Sequence, residues 1–415
     1  MKRHLIGIGG VGMSALATAL VRLGDEVTGA DRTLGTPNVR FLESLGVKVF
    51  PDDGSGVDRA TDEVIVSTAI EETNAGLIKA KELGIPVTHR AKALARTLKD
   101  YKLVAVVGTC GKSTVTAMLG HVLVECGLDP MCVNGANVPG WEGAVRFGRG
   151  EYAVAEVDES DKSLVAFKPY AAIVTNASAD HYSKEEMDEV FDAFVKDCEG
   201  PVIDGRKGLE GLGSLEGLDV PIPGKHNLQN AQHAVLMAIA LGVEPENAIA
   251  AMRTFRGVER RLQLITSQPS QTSKPSKPFV YDDYAHNPEK LKAMWTTLAE
   301  KHPRGICVIW RPHGYAPLRK MMDELAKMFA ETARPCDKLL LLPVYDAGGT
   351  TDRSVNSDEL KAKVEGEGEQ RIELVPDLDA AYVWCAAHKG EYAAFVTCGA
   401  RDPGLPVLAK RLSEM

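Results

Sequence analysis

Strand-like runs alternating with helical runs along the whole of a 415-residue chain predict an α/β protein with parallel, doubly wound sheets. Three observations carry that expectation. A glycine turn closes the first strand at Gly7–Gly12, a second closes a later strand at Gly108–Ser113, and strand runs return after residue 278. Single cores seldom grow past about 250–300 residues, so the length predicts about three domains.

The first segment opens β-α-β, with a strand ending at Leu5-Ile-Gly-Ile-Gly-Gly-Val-Gly12, a helix through Met13–Leu23 and a strand at Glu26–Asp31. Strands at Val47–Phe50, Glu63–Thr68 and Pro86–His89 and helices at Ala75–Leu83 and Ala91–Leu98 continue it, giving a first domain over 1–98. The second domain, 99–261, begins with the β-branched run before Gly108 and a helix over Val115–Val124. It continues through strands at Met131–Asn134, Tyr152–Val157 and Ala172–Thr175, an acidic helix at Lys184–Cys198, a weakly patterned stretch over 200–220, and helices at Gln229–Leu241 and Pro245–Phe255. The third, 262–415, holds a low-complexity loop at Ser267–Pro278 and strands at Phe279–Asp282, Gly305–Trp310, Lys338–Leu342 and Ala393–Thr397.

Hydrophobic content of 44% and charged content of 25% fit a soluble globular chain, and no apolar run reaches the roughly 18 residues of a membrane span. The opening Met-Lys-Arg-His-Leu-Ile-Gly lacks a signal-peptide pattern, so the expected location is cytoplasmic. A net charge of −9 lacks the basic footprint of nucleic-acid or membrane-surface binders. Eight scattered cysteines, without a Cys-x-x-Cys pair, read as reduced, mostly buried thiols and not as a zinc site.

Gly108-Thr109-Cys110-Gly111-Lys112-Ser113-Thr114 after a strand and before a helix has the form of a phosphate cradle. Glycines let backbone N–H groups close on phosphate oxygens, Lys112 neutralises the β- and γ-phosphates of ATP, and the Ser113 hydroxyl is placed for Mg²⁺. Gly7-x-Gly9-x-x-Gly12 with Asp31 also fits a dinucleotide fingerprint, whose acid holds a ribose 2′-OH; an NAD-dependent oxidoreductase is therefore the rival reading.

Taken in chain order, Gly7–Ser14, Ser67-Thr-Ala-Ile70, Gly108–Thr114, Glu156-Val-Asp-Glu-Ser-Asp161, Thr175-Asn176 with Asp180-His181, Pro223-Gly-Lys-His-Asn227, Arg260-Arg261 and Asp282-Asp-Tyr-Ala-His-Asn-Pro288 resemble the Mur ligases of peptidoglycan synthesis. The resemblance implies an N-terminal Rossmann-like domain, a central P-loop ATPase α/β domain and a C-terminal Rossmann-like domain that brings the amino acid. It implies an ATP-dependent amide-forming ligase acting through an acyl phosphate, joining an amino acid, L-alanine or another, to UDP-N-acetylmuramate. A UDP-sugar carboxylate and an amino acid or peptide are the implied substrates, ATP and Mg²⁺ the implied cofactors, with a monomer or homodimer expected.

By the same resemblance, Gly7, Gly9, Gly10, Gly12, Met13, Asp31 and Ser67 bind the UDP-sugar. Gly108, Thr109, Gly111, Lys112, Ser113, Thr114, His226, Asn227, Arg261 and Asp283 bind ATP, with Asn227 at the adenine edge and Asp283 at the ribose. Ser113, Glu159 and His181 hold metal or the transferred phosphate, and His286 faces substrate. Glu156, Asp158 and Asp161 compete with Glu159, a solvated acidic turn is the alternative for the cluster, and Asn227 is alternatively a helix N-cap.

The pattern breaks in the third domain. Alanine-adding members carry Pro-His-Arg-Tyr-Thr-Arg-Thr-Arg, whose first two arginines hold the amino-acid carboxylate; here the stretch is Pro312-His-Gly314-Tyr-Ala-Pro317-Leu-Arg319. Either Arg311, Lys320 or Arg353 replaces them, or the amine differs. Cys110, Asn287 and Tyr345-Asp-Ala-Gly-Gly-Thr350 are further departures, and the 200–221 segment is short. Ligases with another amine or carboxylate, and an idle ATP-binding partner protein, remain as alternatives.

Overall fold

The computed structural model describes residues 1–158, 163–177, 184–208, 215–266, 277–346, 348, 351–365 and 372–415. It folds into two compact units, 1–221 with 226–258, and 222–225 with 259–415.

The first unit contains two sheets. Lys2–Ile6 (β1), Glu26–Asp31 (β2), Lys48–Pro51 (β3), Glu63–Val66 (β4) and Val87–His89 (β5) form an all-parallel sheet in the order β3-β2-β1-β4-β5. Helices Val11–Arg22 (α1), Pro37–Ser44 (α2) and Ala75–Glu82 (α3) connect its strands, and Arg90–Thr97 (α4) leads from β5 to the second sheet. Lys102–Val107 (β6), Met131–Val133 (β7), Val145–Arg146 (β8), Tyr152–Glu156 (β9), Ala171–Val174 (β10) and Val202–Asp204 (β11) form the second sheet, ordered β11-β10-β6-β9-β7-β8. There only β8 runs antiparallel. Helices Lys112–Glu125 (α5), Lys184–Val195 (α6), Lys225–Ala240 (α7) and Pro245–Met252 (α8) belong with it.

Both sheets share one apolar core: Leu16 and Leu20 of α1, Leu94 of α4 and Ala105, Val107 and Val133 of the second sheet lie in a single buried cluster. A continuous core of this kind disfavours independent motion of the two sheets. The paired side chains of Arg22 and Glu142, with Nε to Oε2 at 2.7 Å, add a polar tie at the rim.

The second unit is built on Gln263–Leu264 (β12), Phe279–Asp283 (β13), Ile306–Trp310 (β14), Lys338–Leu341 (β15), Ile372–Leu374 (β16) and Ala394–Cys398 (β17), ordered β12-β13-β17-β14-β15-β16. Pro288–Lys301 (α9), Tyr315–Thr332 (α10), Ser357–Glu365 (α11), Leu378–Ala387 (α12) and Gly404–Ser413 (α13) surround it. Asn287, one of the departures from the family pattern, caps α9: its Oδ1 accepts the Lys290 N–H at 2.9 Å, with Pro288 at the first helical position. Four of the eight cysteines are buried, three half-buried and Cys336 exposed, so the expectation of mostly buried thiols holds for half of them.

Candidate active site

Every glycine turn singled out from the sequence lies at the C-terminal edge of a parallel strand, where α/β proteins bind ligands. In the second sheet β6 is central, with β10 on one side and β9 on the other. Its loop needs glycine twice. Gly108 has φ 126°, and a Cβ there would sit 2.2 Å from Thr175 Oγ1; Gly111, the N-cap of α5 at φ 86°, would meet Asn230 Oδ1 at 2.5 Å. Side chains larger than hydrogen would fill the cradle.

Thr175 and Asn176, at the end of β10, pin this loop. Asn176 Oδ1 accepts from Thr109 Oγ1 at 2.7 Å and from the Cys110 N–H at 3.0 Å, while its Nδ2 donates to the Cys110 carbonyl at 3.0 Å. Thr175 Oγ1 donates to the same carbonyl at 2.6 Å. Lys112 Nζ rests on the Gly108 carbonyl at 2.6 Å, and Ser113 and Thr114 are buried in the first turn of α5. The result is a preformed cup of helix-N-terminal amides with a lysine parked at its mouth, which fits a polyphosphate. The role of Asn176 as the clamp could not be read from the sequence, because it depends on strand neighbours 66 and 67 residues apart.

Glu156 has a structural duty: its Oε2 accepts the Gly135 N–H at 2.8 Å. Asp158 is half-buried beyond β9, whereas Glu159, Asp161 and His181 lie outside the described residues. Among the described residues no group of three or more His, Cys, Asp or Glu forms a metal cluster. Of the expected metal-holding groups only the Ser113 hydroxyl is therefore placed, at the helix start where its oxygen suits Mg²⁺. His226 and Asn227 are the second and third residues of α7, which corrects the N-cap alternative for Asn227: the helix starts at Lys225, after Gly224 with φ 110°. Asn227 is buried, and Asn230 Nδ2 approaches its Oδ1 at 3.4 Å.

In the first sheet Gly7 (φ 75°) turns the chain from β1, and its N–H and that of Ile8 bond the Ala30 carbonyl at 2.8 and 3.1 Å. Asp31 holds the turn closed. Its Oδ2 accepts the Gly9 N–H at 2.8 Å and its Oδ1 the Thr33 N–H at 2.9 Å, so both oxygens carry backbone bonds instead of facing outward for a ribose. Gly10 caps α1, Met13 turns its side chain into the core, and Ser67 is half-buried beyond β4. A Cβ on Gly12 would lie 3.1 Å from Arg90 Nη1. Arg90 makes no hydrogen bond or ion pair among the described residues, so a free cation flanks this turn; from the sequence it was one basic residue at a helix start.

In the second unit Arg260 is structural. Its Nε bonds Asp282 Oδ2 at 3.0 Å and its Nη1 the Ala400 carbonyl at 3.3 Å. Burial pushes the Asp282 carboxyl up to about 6 against the pull of that guanidinium. Arg261 stacks over the Tyr284 ring at 5.0 Å. Asp283 is buried, its Oδ2 accepting the Leu262 N–H at 2.6 Å and its Oδ1 the Ala285 N–H at 2.7 Å. His286 packs edge-on against His313, ring centroids 4.8 Å apart, and burial lowers both to about 4, leaving neutral imidazoles.

Two family profiles match: Mur ligase family, catalytic domain, over residues 2–102, and Mur ligase, glutamate ligase domain, over 260–401. The UDP-N-acetylmuramate–L-alanine ligase of Rubrobacter xylanophilus is 34% identical over 447 residues, covering 97% of each chain. The enzyme of that name from Sinorhizobium fredii is 30% identical over 468 residues, covering 99% of this chain and 97% of its own. The chain belongs to the Mur ligase family. Among solved structures, UDP-N-acetylmuramate-alanine ligase MurC from Thermotoga maritima matches with TM-score 0.81 and 25% identity over 100% and 98% of the two chains. A murein peptide ligase from Psychrobacter arcticus, at TM-score 0.68 and 22% identity over 99% and 98%, shares the fold.

As a Mur ligase this chain is an ATP-dependent enzyme that forms amide bonds. The oxidoreductase reading falls with that assignment, in keeping with the inward-turned Asp31. Of the three cations considered as replacements at the Gly314 and Pro317 positions, two are already engaged: Arg311 Nη1 pairs with Asp402 at 2.7 Å, and Arg353 Nε with Asp346 at 2.8 Å. Lys320 is exposed on α10.

Proposed function

We propose that this Mur ligase joins the amino group of L-alanine to the carboxylate of UDP-N-acetylmuramate at the expense of ATP, in the cytoplasm, as a step of peptidoglycan precursor synthesis. The observation that carries the reading is similarity over nearly the full length to ligases of that name, 34% identical in one case. The division into domains at 1–98, 99–261 and 262–415 belongs to the same reading.

The loop between β6 and α5 would hold the ATP phosphates through its amides, with Lys112 exchanging the Gly108 carbonyl for phosphate oxygens. The substrate carboxylate oxygen attacks the γ-phosphorus, the bond to the β-bridging oxygen breaks, and ADP leaves an acyl phosphate. The amine then attacks the acyl carbon, passes through a tetrahedral oxyanion, loses a proton and expels phosphate. Both steps gather negative charge, so preset donors at the cradle lower the barrier more than flexible ones would. Mg²⁺ bound at the Ser113 hydroxyl would supply charge neutralisation, with Glu159 and His181 as its further partners by resemblance. Asn227 takes the adenine edge, Asp283 the ribose and Arg261 the phosphates in the same assignment, and Gly7–Gly12 with Arg90 takes the UDP diphosphate.

A second reading has one observation behind it: without guanidinium groups at positions 314 and 317, the amine is another amino acid or a peptide. Phosphate release and product mass with ATP, Mg²⁺, UDP-N-acetylmuramate and each of a panel of amino acids and short peptides decide between them. Product from L-alanine at the lowest KM supports the first reading; product only from a peptide overturns it.

A further inference from the structure

The loop after β17 sits between β13 and β14, at the centre of the C-terminal edge of the third sheet. Its backbone is fixed on both sides of one residue. The Gly399 N–H donates to the Asp283 carbonyl at 3.1 Å, Arg260 donates to the carbonyls of Gly399 and Ala400, and Asp402 accepts from Arg311 at 2.7 Å and from the Gly404 N–H at 2.8 Å. Between them Arg401 is exposed and makes no hydrogen bond or ion pair among the described residues. Its Nη1 lies 3.8 Å from where a Cβ on Gly314 would stand.

The acids around it are already engaged: Asp282 by Arg260 and Thr397, Asp283 by the Leu262 and Ala285 amides, Asp402 by Arg311. His313, flanked by the charges of Arg401 and Lys290, offers a neutral imidazole. A guanidinium held by rigid neighbours, unpartnered among the described residues and flanked there by carboxylates that are already engaged, suits a small carboxylate ligand that it can grip with two parallel N–H bonds.

We infer that Arg401 binds the carboxylate of the incoming amino acid, entering from the β17 loop the space that a guanidinium on residue 314 would otherwise occupy. This rests on the ligase reading above. It makes acceptance of L-alanine compatible with Gly314 and Pro317, and it makes Arg401 the residue that selects amines bearing a free carboxylate.

The test compares wild type, Arg401→Ala and Arg401→Ala with Gly314→Arg, using L-alanine and L-alaninamide. A Cβ at Gly314 meets nothing closer than Pro317 Cδ at 3.4 Å, so the second change is tolerated at its Cβ, and the guanidinium removed by Arg401→Ala frees space beside it. Loss of a charge-assisted pair should raise the L-alanine KM of Arg401→Ala by about 10- to 100-fold, leave the ATP and UDP-sugar KM values within about twofold, and abolish the preference for L-alanine over its amide. Adding Gly314→Arg should restore about tenfold of it. If wild type uses L-alanine and Arg401→Ala keeps its KM and its preference, the assignment fails while the ligase reading stands. Should wild type act only on peptides and Arg401→Ala behave like it, the assignment fails as well; no amide from any amine sinks both.

Discussion

Replacing Asn176 tests whether the phosphate loop is preset by its neighbour strand. The side chain makes three hydrogen bonds to the loop, at 2.7, 3.0 and 3.0 Å. Each is worth about 0.5–1.5 kcal/mol net, which gives roughly 2–4 kcal/mol for the set. Asn176 is only half-buried, so water replaces part of this, and Thr175 keeps its own bond to the Cys110 carbonyl at 2.6 Å. Asn176→Ala should therefore cost about 1–3 kcal/mol of loop order, felt as a rise of about 5- to 150-fold in the KM for ATP in a coupled ADP-release assay. Asn176→Asp separates geometry from charge. Its oxygens still accept from Thr109 and Cys110, but one faces the Cys110 carbonyl, and the added negative charge lies beside the phosphates. The aspartate variant should keep a thermal midpoint nearer wild type than the alanine variant while binding ATP less well. An alanine variant whose ATP KM stays within about twofold of wild type would refute the clamp.

Lys112→Ala should abolish ADP formation, since it removes the cation placed at the mouth of the phosphate loop; near-normal turnover would remove the loop from the mechanism. Glu159→Ala and His181→Ala should each raise the Mg²⁺ concentration needed for half-maximal rate, whereas Glu156→Ala should act on stability through the lost Gly135 bond; a Mg²⁺ effect from Glu156→Ala alone would move the metal assignment to that residue. His233 is buried and lowered to about 4 by desolvation, so the folded chain refuses a proton that the unfolded chain takes up near pH 6.5. Stability is then full above about pH 6.5 and falls as pH drops towards 4, by a ceiling of about 3 kcal/mol for this group, and His233→Gln should lose less stability than wild type between pH 7 and pH 5 in paired melts. Parallel losses in the two proteins would show that His233 does not titrate this way.

What the sequence made legible, and what it hid, follows from the range of the interactions. The two glycine turns were readable because strand, turn and helix are contiguous, and the left-handed φ of Gly7, Gly108 and Gly111 is a local demand that only certain residues meet. Two edge strands were lost, β11 and β16; β11 falls in the stretch read as weakly patterned, whereas the equally short β5 and β7 were read at Pro86–His89 and Met131–Asn134. Asn227 as an N-cap missed by three positions, because Gly224 with Lys225 begins the helix earlier than the alanine-rich pattern suggests. Arg90 and Arg401 were invisible for another reason. A single basic residue has no signature, and each gains its meaning from a glycine brought beside it, Gly12 or Gly314, from 78 and 87 residues away in the chain.

These placements explain how a chain of net charge −9 can receive anionic substrates. At the turn beyond β1, Asp31 is held by the Gly9 and Thr33 amides; at the end of β9, Glu156 is held by the Gly135 amide; at the third sheet, Asp282, Asp283 and Asp402 are held by guanidinium groups and amides. A guanidinium or amide donor beside a carboxylate offsets part of the repulsion it would exert on an approaching anion. The cations at the same edges are left outward: Arg90 by Gly12, Lys112 on a neutral carbonyl it can exchange, Arg401 by Gly314. Each of these cations stands at a turn held by hydrogen bonds, where little reorganisation is needed when ligand charge arrives. An added acid at one of these positions, such as Gly314→Glu beside Arg401, would neutralise one edge and should raise the KM of the amino acid alone.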